Sequence, residues 1–513
     1  MLLFPPLPNF ARACGRVSVG GHPDKRPDSR PGSSDFSTGP IINWQPEAKP
    51  AYLVLPEGRD LKQRRIGLFR LSLPSKGREP EEACPSCQQC GGDLPSNLRQ
   101  FTRLTRPLWR FQRAGPGSRQ SMFCNRKPMA SIKGVRAMTA RIREFLRTRR
   151  EDGPCVVVDL DVVRDNYQTF ARALPDTSVY YAVKANPDPA ILRLLASMGS
   201  CFDTASVVEV EMALAAGATA DRISFGNTIK KERDIATAYT LGVRLFAVDC
   251  VAEVDKVARA APEARVFCRI LCDGAGAEWP LSRKFGCVPE MAADVLEHAH
   301  RLGLEAYGVS FHVGSQQGNI EAWDQALGSA SAIFRECAER GMHLSMVNLG
   351  GGFPAKYLKP VPGVESYGEA IFRGLVKHFG NDLPETIIEP GRGMVGDAGI
   401  IESEVVLISK KSEDDDVRWV YLDIGKFGGL AETMDEAIRY PIRTRHDGSE
   451  TAPCVLAGPT CDSADVLYEK VPYLLPVSLQ IGDKVLIEGT GAYTTTYSAV
   501  AFNGFPPLRS YTI

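Results

Sequence analysis

From about residue 156 onward, short apolar runs alternate with segments whose apolar spacing is typical of amphipathic helices. Eight of these runs predict β-strands, each followed by helix-forming sequence. They span residues 179–185, 201–205, 222–226, 245–249, 266–271, 307–313, 346–349 and 386–389. Eight strand-then-helix units in about 240 residues are typical of a (β/α)8 TIM-type barrel. We therefore expect an α/β fold with a barrel domain over residues 136–398.

The pattern changes after residue 399, where strand-forming runs are separated by Gly and Pro rather than by helices. Strands are predicted at 404–409, 418–422, 453–456 and 484–488. This pattern indicates a C-terminal all-β domain over residues 399–513. A further apolar run at 155–159 precedes the barrel, and we expect it to join the β domain.

Residues 1–135 are rich in Pro, Arg, Ser and Gly and lack apolar periodicity, so we expect a disordered N-terminal extension without a catalytic part. The ordered protein is then expected to begin near Met122, Met129 or Met138. An Arg-rich, acid-poor start leaves a transit-type segment as an alternative. Cys84, Cys87 and Cys90 have a spacing that permits metal binding, but no matching Cys or His cluster follows, so we predict no metal site.

The overall composition restricts the classes of function. The 513 residues carry no formal net charge and 44% are hydrophobic, which is typical of a soluble globular protein. Lys and Arg are spread along the chain, so we expect no nucleic-acid partner. No apolar run is long enough to cross a bilayer, and the 14 Cys have irregular spacings. We therefore expect reduced thiols, no membrane association and a cytoplasmic protein.

Unusual polar residues stand where the predicted barrel strands end, which is the face that carries active sites in this fold. Lys184 ends the first strand, and burial there would lower its pKa and free its amine for Schiff-base formation. The alternative is an ordinary solvated lysine. His312 and Ser315 follow the sixth strand, although a histidine bonded to backbone within the core would give the same pattern.

The seventh and eighth predicted strands lead into glycine-rich turns. Gly350, Gly351 and Gly352 allow backbone to approach an anion closely, although a glycine triplet alone indicates only a turn. Glu389 ends the eighth strand and is followed by Gly391 and by Arg392, whose guanidinium suits a phosphate group. These turns predict a site for a phosphorylated ligand.

Pyridoxal 5'-phosphate (PLP) accounts for all of these residues together. A carboxylate against the ring nitrogen keeps it protonated, so that the ring accepts the electron pair left when a bond at the substrate α-carbon breaks. Glu389 suits that position, His312 could lie flat on the ring, and Lys184 could bind the aldehyde carbon.

Over about residues 155 to 510 the sequence resembles the alanine-racemase-fold (group IV) decarboxylases, the family of eukaryotic and bacterial ornithine decarboxylases. The matching blocks are YAVKANP at 181–187, FDTAS at 202–206, KFG at 284–286, SFHVGS at 310–315, GGGFP at 350–354, EPGR at 389–392, GPTCD at 458–462 and GAYTTTYSAVAFNGF at 491–505. The resemblance implies the same barrel and β domain.

The resemblance also implies roles for individual residues. Lys184 would carry PLP, with His312 stacked on its ring and Glu389 paired with its nitrogen. Five residues would hold the phosphate: Ser315, Gly352, Gly391, Arg392 and Tyr493. A supporting layer beside the ring would consist of Asp203, Glu209 and Arg269.

Members of this family form head-to-tail homodimers whose active sites are shared between subunits. The resemblance therefore implies that Cys461 and Asp462 reach the cofactor of the other chain. Cys461 would protonate the quinonoid carbon after carbon dioxide leaves, and Asp462 would meet the distal ammonium of the substrate. With L-ornithine as substrate, the product would be putrescine, the first step of polyamine biosynthesis.

The choice of substrate stays open at this point. Animal members of the family have a Tyr-Asp pair where Asp435 and Glu436 align, and these acids are candidates for contacting the substrate. One methylene is worth only about 1–3 kcal/mol of discrimination, so lysine is an alternative or second substrate. Phe427 stands where some relatives have Tyr. Diaminopimelate decarboxylase and an inactive regulatory homologue are further alternatives, and neither is favoured because Asp462 follows Cys461 and the catalytic set is complete.

Overall fold

The computed structural model describes residues 138–280 and 283–513. Up to residue 388 the strands are β1 Cys155–Val158, β2 Thr177–Ala182, β3 Cys201–Thr204, β4 Ile223–Phe225, β5 Leu245–Val248, β6 Arg265–Arg269, β7 Ala277–Trp279, β8 Glu305–Ser310, β9 Ser315–Gln317, β10 Met346–Asn348 and β11 Glu385–Ile388. The helices are α1 Ala140–Thr148, α2 Leu160–Ala173, α3 Pro189–Ser197, α4 Val207–Ala215, α5 Glu232–Thr240, α6 Val251–Ala260, α7 Pro289–Arg301, α8 Ala322–Glu339, α9 Val364–Phe379 and α10 Arg392–Val395.

Eight parallel strands close into a barrel in the order β2-β3-β4-β5-β6-β8-β10-β11, and β11 pairs back onto β2. The barrel predicted from the sequence is therefore confirmed. The first strand ends at Ala182, and the chain continues into a 3-10 turn over Val183–Ala185, so Lys184 projects from this turn rather than from the strand itself. Strands β7 and β9 form a separate antiparallel pair beside the barrel.

Apolar side chains fill the barrel interior below the carboxyl ends of its strands. Tyr180, Leu245, Ala247, Phe267, Tyr307, Met346 and Ile387 form one buried cluster. The surrounding helices pack against the outer faces of the strands, where Trp323, Phe353 and Tyr367 make tilted and edge-to-face ring contacts. Burial on both sides explains why the strands read as continuous apolar runs.

The remaining strands form a β-rich C-terminal part. They are β12 Gly399–Ser409, β13 Arg418–Leu422, β14 Ile442–Thr444, β15 Thr451–Ala457, β16 Val466–Pro476, β17 Lys484–Glu488 and β18 Arg509–Thr512. The sheet order is β14-β17-β12-β13-β15-β16, and β1 inserts between β12 and β18. The expectation that the early strand joins this sheet is confirmed, whereas β14, β16 and β18 were not predicted. The division of the chain at residue 399 stays a prediction.

The predicted N-terminal extension and the Cys84, Cys87 and Cys90 motif lie outside the described residues. Within the described part of the chain, no helix combines the length and the apolar character needed to span a membrane. Residues 138–280 and 283–513 also contain no group of three or more His, Cys, Asp or Glu side chains arranged to hold a metal ion.

Candidate active site

The carboxyl ends of the barrel strands surround an open cavity of about 320 Å³. Seven of the residues that were predicted to bind the cofactor line it: Lys184, His312, Ser315, Gly352, Glu389, Gly391 and Arg392. Tyr493 reaches the same cavity from the C-terminal part of the chain. These residues follow four barrel strands, β2, β8, β10 and β11, so four strand ends and a segment beyond the barrel converge on one space.

Lys184 borders this cavity and pairs with the buried carboxylate of Asp203, with 2.8 Å between Nζ and Oδ2. Burial alone would lower the pKa of Lys184, but the charges of Asp203, Tyr493 and Glu389 outweigh this effect and raise the pKa. The expectation of a lowered pKa is therefore wrong for the cofactor-free chain. The ion pair holds the ammonium in place, and the amine must lose a proton before it can bind a carbonyl carbon.

Glu389 lies at the end of β11, and its Oε1 accepts a hydrogen bond of 2.5 Å from Nδ2 of Asn348. Burial and the nearby Asp203 raise the pKa of Glu389 to about 7, against the opposing effect of Lys184. A carboxyl group with this pKa is partly ionised at neutral pH. A protonated ring nitrogen bound beside it would favour the negatively charged carboxylate.

His312 is uncharged at neutral pH, because burial and the charges of Arg269 and Lys184 lower its pKa to about 3. Its Nδ1 accepts a hydrogen bond of 3.0 Å from the backbone amide of Gly314, which fixes the plane of the ring. A neutral, oriented imidazole suits stacking on an aromatic ligand.

Asp203, Glu209 and Arg269 lie in the layer behind Lys184. Asp203 is 4% exposed, and one of its oxygens has no hydrogen-bond partner. Glu209 accepts a hydrogen bond of 2.6 Å from the amide of Ala205, at the start of α4. The guanidinium of Arg269 lies 5.5 Å from the ring centre of Phe285. The charges of Asp203 and Arg269 shift the pKa values of residues that line the cavity.

Arg392 is buried in the wall of the cavity. Its Nη2 donates to Oγ of Ser315 at 3.2 Å, and its guanidinium lies 5.0 Å from the ring centre of Tyr493. Tyr493 has a φ of 55°, an uncommon backbone conformation for a tyrosine that places its hydroxyl over this end of the cavity.

Two positions near Arg392 have room only for glycine, so the backbone itself borders the cavity there. A Cβ atom on Gly391 would lie 3.0 Å from Cβ of Ala185 and 3.2 Å from the hydroxyl of Tyr493. Gly352 has a φ of 106°, and a Cβ there would lie 2.5 Å from the carbonyl oxygen of Gly314. A buried guanidinium, two hydroxyls and open backbone suit a phosphate group, so the donors present fit PLP.

Several lining residues were not found from the sequence. Trp279, Phe285, Glu432 and Tyr497 line the cavity, and Asn348 bonds to Glu389. Phe285 belongs to the KFG block and Tyr497 to the long C-terminal block, so their motifs could have indicated them. Glu432 belongs to the acidic stretch 432–436, which the sequence offered either as a group that meets the distal cation of the substrate or as a solvated turn.

Cys461 and Asp462 do not line the cavity of their own chain. Both are exposed, the amide of Cys461 donates to Oδ1 of Asn503 at 2.9 Å, and Asp462 caps the following turn through the amide of Ala464. Their predicted roles would therefore require a second subunit.

Asp435 and Glu436 also lie away from the cavity. Asp435 is exposed and pairs with Lys470, with 3.1 Å between Oδ1 and Nζ. Glu436 accepts hydrogen bonds from the amides of Glu469 and Lys470 and pairs with Arg439. Neither carboxylate is directed at Lys184 in this chain, and a substrate contact from either stays a prediction.

Comparison with known proteins agrees with this geometry. The family profile described as "Pyridoxal-dependent decarboxylase, pyridoxal binding domain" matches residues 160–396. A lysine/ornithine decarboxylase of Selenomonas ruminantium is 38% identical over 359 residues, which are 70% of this chain and 88% of that protein. A chloroplastic ornithine decarboxylase of Nicotiana glutinosa is 33% identical over 69% of this chain and 82% of its own length.

Solved structures show the same architecture. The arginine decarboxylase of Paramecium bursaria Chlorella virus superposes with a TM-score of 0.67 at 28% identity, and the match covers 73% of this chain and all of the viral chain. The shared fold, the matched cofactor-binding domain and the residues that line the cavity therefore all indicate the same family of pyridoxal-dependent decarboxylases.

Proposed function

The chain belongs to the pyridoxal-dependent decarboxylases, and from that premise we propose that it converts L-ornithine to putrescine and carbon dioxide. The observation that carries the proposal is the convergence of Lys184, His312, Glu389 and Arg392 on one cavity. PLP is the cofactor of this family, and when bound it accepts the electron pair released at the substrate α-carbon.

The chain's own residues would bind and orient the cofactor. Lys184 would leave Asp203, lose a proton and bind the aldehyde carbon, whose oxygen would depart as water. Glu389 would pair with the ring nitrogen while Asn348 fixes its carboxyl group. The flat, neutral ring of His312 would cover one face of the cofactor. Arg392, Ser315 and Tyr493 would hold the phosphate together with the amides around Gly352 and Gly391.

The proton that replaces the departing carboxylate needs a donor, and we assign it to the Cys461 thiol of a second subunit in a homodimer. Asp462 of the same subunit would accept the distal ammonium of the substrate. This assignment is supported by the exposure of both residues outside their own cavity and by the GPTCD block that they share.

Lysine is the second candidate substrate, because the Selenomonas ruminantium relative is named for both lysine and ornithine. The deciding experiment measures carbon dioxide release with ornithine, lysine, arginine and meso-diaminopimelate supplied separately to the PLP-loaded enzyme. The proposal expects the highest kcat/KM with ornithine. Preference for any of the other three amino acids would replace ornithine in the proposal, and no release from any would contradict the decarboxylase activity itself.

We further propose that the enzyme acts in the cytoplasm, within polyamine synthesis. The composition and scattered cysteines support a reducing compartment. Fractionation of the source cells, with the protein followed by antibody, tests the location.

A further inference from the structure

The guanidinium that faces the phosphate end of the cavity is already bound to a carboxylate. Arg392 and Glu432 are 4% and 5% exposed, and they form a two-pronged ion pair. Nη1 of Arg392 lies 2.7 Å from Oε2 of Glu432, and Nη2 donates to Oε1. Glu432 lines the same cavity as Lys184, so this carboxylate occupies space next to the expected phosphate position.

The other donors of Arg392 are also engaged. Nη1 donates to the hydroxyl of Tyr357 at 2.9 Å, while Nη2 and Nε donate to Oγ of Ser315 at 3.2 and 3.4 Å. A guanidinium has five N–H donors in a fixed plane. With all of these contacts made, a phosphate oxygen can bind Arg392 only by displacing one of the present acceptors.

Charge decides which acceptor leaves. A phosphate monoester carries about −1.5 to −2 charges at neutral pH, so one guanidinium cannot neutralise both the phosphate and a carboxylate. The Ser315 and Tyr357 hydroxyls are neutral and can remain beside a phosphate. We propose that Glu432 is a built-in competitor of the PLP phosphate, occupying Arg392 in the cofactor-free chain and withdrawing from it when the phosphate binds.

The local backbone is compatible with such a withdrawal. Glu432 lies in the 3-10 segment Ala431–Glu436, which is interrupted by a kink at Met434 and Asp435. Asp435 and Glu436 have φ values of 53° and 61°, and Met434 is 52% exposed. This segment lacks the regular hydrogen-bond ladder of a barrel strand, although Glu436 at its end is held by the amides of Glu469 and Lys470.

The competitor has a benefit for the cofactor-free protein. A buried guanidinium without an anion is strongly unfavourable, so Glu432 stabilises the chain until PLP arrives. The same pairing weakens PLP binding, because part of the binding free energy is spent on breaking it. Glu432 would thus adjust cofactor affinity without contacting the reacting atoms, and this inference rests on the proposed phosphate role of Arg392.

The test is a titration of the cofactor-free enzyme with PLP and, separately, with pyridoxal, which lacks the phosphate. Glu432→Gln keeps the size of the side chain and removes its charge. We expect the Kd for PLP to fall roughly tenfold, which corresponds to about 1.4 kcal/mol, and the Kd for pyridoxal to stay unchanged. The cofactor-free variant should also melt at a lower temperature than the wild type.

Glu144→Gln is the matched control, because it removes a carboxylate from the exposed pair with Arg147 and should alter neither Kd. If Glu432→Gln does not fold, Glu432→Asp withdraws the carboxylate by one methylene and should lower the Kd for PLP by a smaller factor. An unchanged or weaker PLP affinity, or an equal gain for pyridoxal, would overturn the competition. Arg392→Ala tests the underlying role separately: if it binds PLP as tightly as the wild type, the phosphate assignment itself fails.

Discussion

At the scale of single residues, the ligand-binding properties of the cavity depend on which of its side chains are charged. The sequence places Lys184 at the end of an apolar segment, which by itself favours a neutral amine. The structure adds Asp203, from the neighbouring strand, and the ion pair reverses the expected direction of the pKa shift. Local sequence pattern alone does not show the effect of a charged partner 19 residues away on the pKa of Lys184.

Replacing Lys184 tests the attachment of the cofactor. Lys184→Ala removes the only lysine amine that lines the described cavity, so PLP should lose the visible absorption that it gains when its aldehyde binds a lysine. The absorption spectrum of the purified variant with PLP provides the measurement. Lys359→Ala, which breaks an exposed pair with Glu278, is the control and should keep the band. A band retained by Lys184→Ala would show that another lysine is used.

Glu389 gives a prediction for stability against pH. Its pKa in the folded, cofactor-free chain is about 7, above the usual value of 4.5, so the folded state binds more protons than the unfolded state between those pH values. Stability contributed by the protonated carboxyl is complete below about pH 4.5 and is lost as the pH rises through about 7. Glu389→Gln cannot ionise and should escape this loss.

Thermal melting of the cofactor-free proteins from pH 5 to pH 8 measures the effect. The melting temperature of Glu389→Gln should approach that of the wild type at pH 5, rise above it as the pH increases, and keep a constant lead above about pH 7. A difference between the two proteins that does not vary with pH would contradict the raised pKa.

The residues that the sequence could identify share one property. His312, Glu389 and Arg392 directly follow barrel strands, so the strand pattern alone indicates that they meet on one face. Glu432 and Tyr357 reach the same place from separate segments, and the ion pair between Arg392 and Glu432 joins residues 40 positions apart. Such contacts depend on the path of the long loop between β10 and α9 and of the segments after the barrel, which local periodicity does not encode.

At the scale of elements, burial determines what could be predicted. The barrel strands are covered on both faces and stand out as apolar runs. In β16 three consecutive exposed residues, Glu469, Lys470 and Val471, interrupt the buried positions, and the strand ends at Pro476. β14 has three residues, fewer than a pattern of alternation needs. β18 is half exposed, and its pairing with β1 joins the two ends of the described chain.

The turn after β10 shows how tightly the catalytic face is built. Gly350 has a φ of 66°, and a Cβ atom there would lie 2.0 Å from the carbonyl oxygen of Phe311. Gly350→Ala therefore adds a backbone clash to an unfavourable φ, and we expect a loss of about 3 kcal/mol or more in the free energy of unfolding. Urea denaturation followed by circular dichroism provides the measurement.

Gly341 separates the two causes. It also has a positive φ, 83°, but a Cβ there meets no atom within 4 Å. Gly341→Ala should thus cost only the conformational penalty, about 1 kcal/mol. Equal losses for the two variants would show that the close approach of Gly350 to the neighbouring strand end does not matter.

At the scale of the whole molecule, the proposed proton donor lies outside the cavity that needs it. Cys461 is exposed beside a groove lined by Phe427, Pro459, Phe502 and Phe505, and the nearby Val500 is 81% exposed. Apolar side chains of this kind, grouped around a proposed catalytic thiol, are typical of a surface that another subunit covers. Sequence pattern locates the thiol but cannot show which cavity it enters.

Mixing two inactive variants tests whether the sites are shared. In a heterodimer of Lys184→Ala and Cys461→Ala chains, one cavity keeps both the lysine and the partner's thiol, while the other lacks both. Random pairing makes half of the dimers mixed, so about a quarter of the wild-type decarboxylase activity should return after dissociation and reassociation. Each variant alone should remain slow or inactive under the same treatment.

A second mixture provides the matched control. Cys461→Ala and Asp462→Ala would both remove groups that a subunit supplies to its partner, so their heterodimer has one cavity without the thiol and one without the carboxylate. No activity beyond that of the parent variants should return. Recovery in the first mixture but not in the second requires two subunits to build each site, whereas failure of the first mixture would place proton transfer within a single chain.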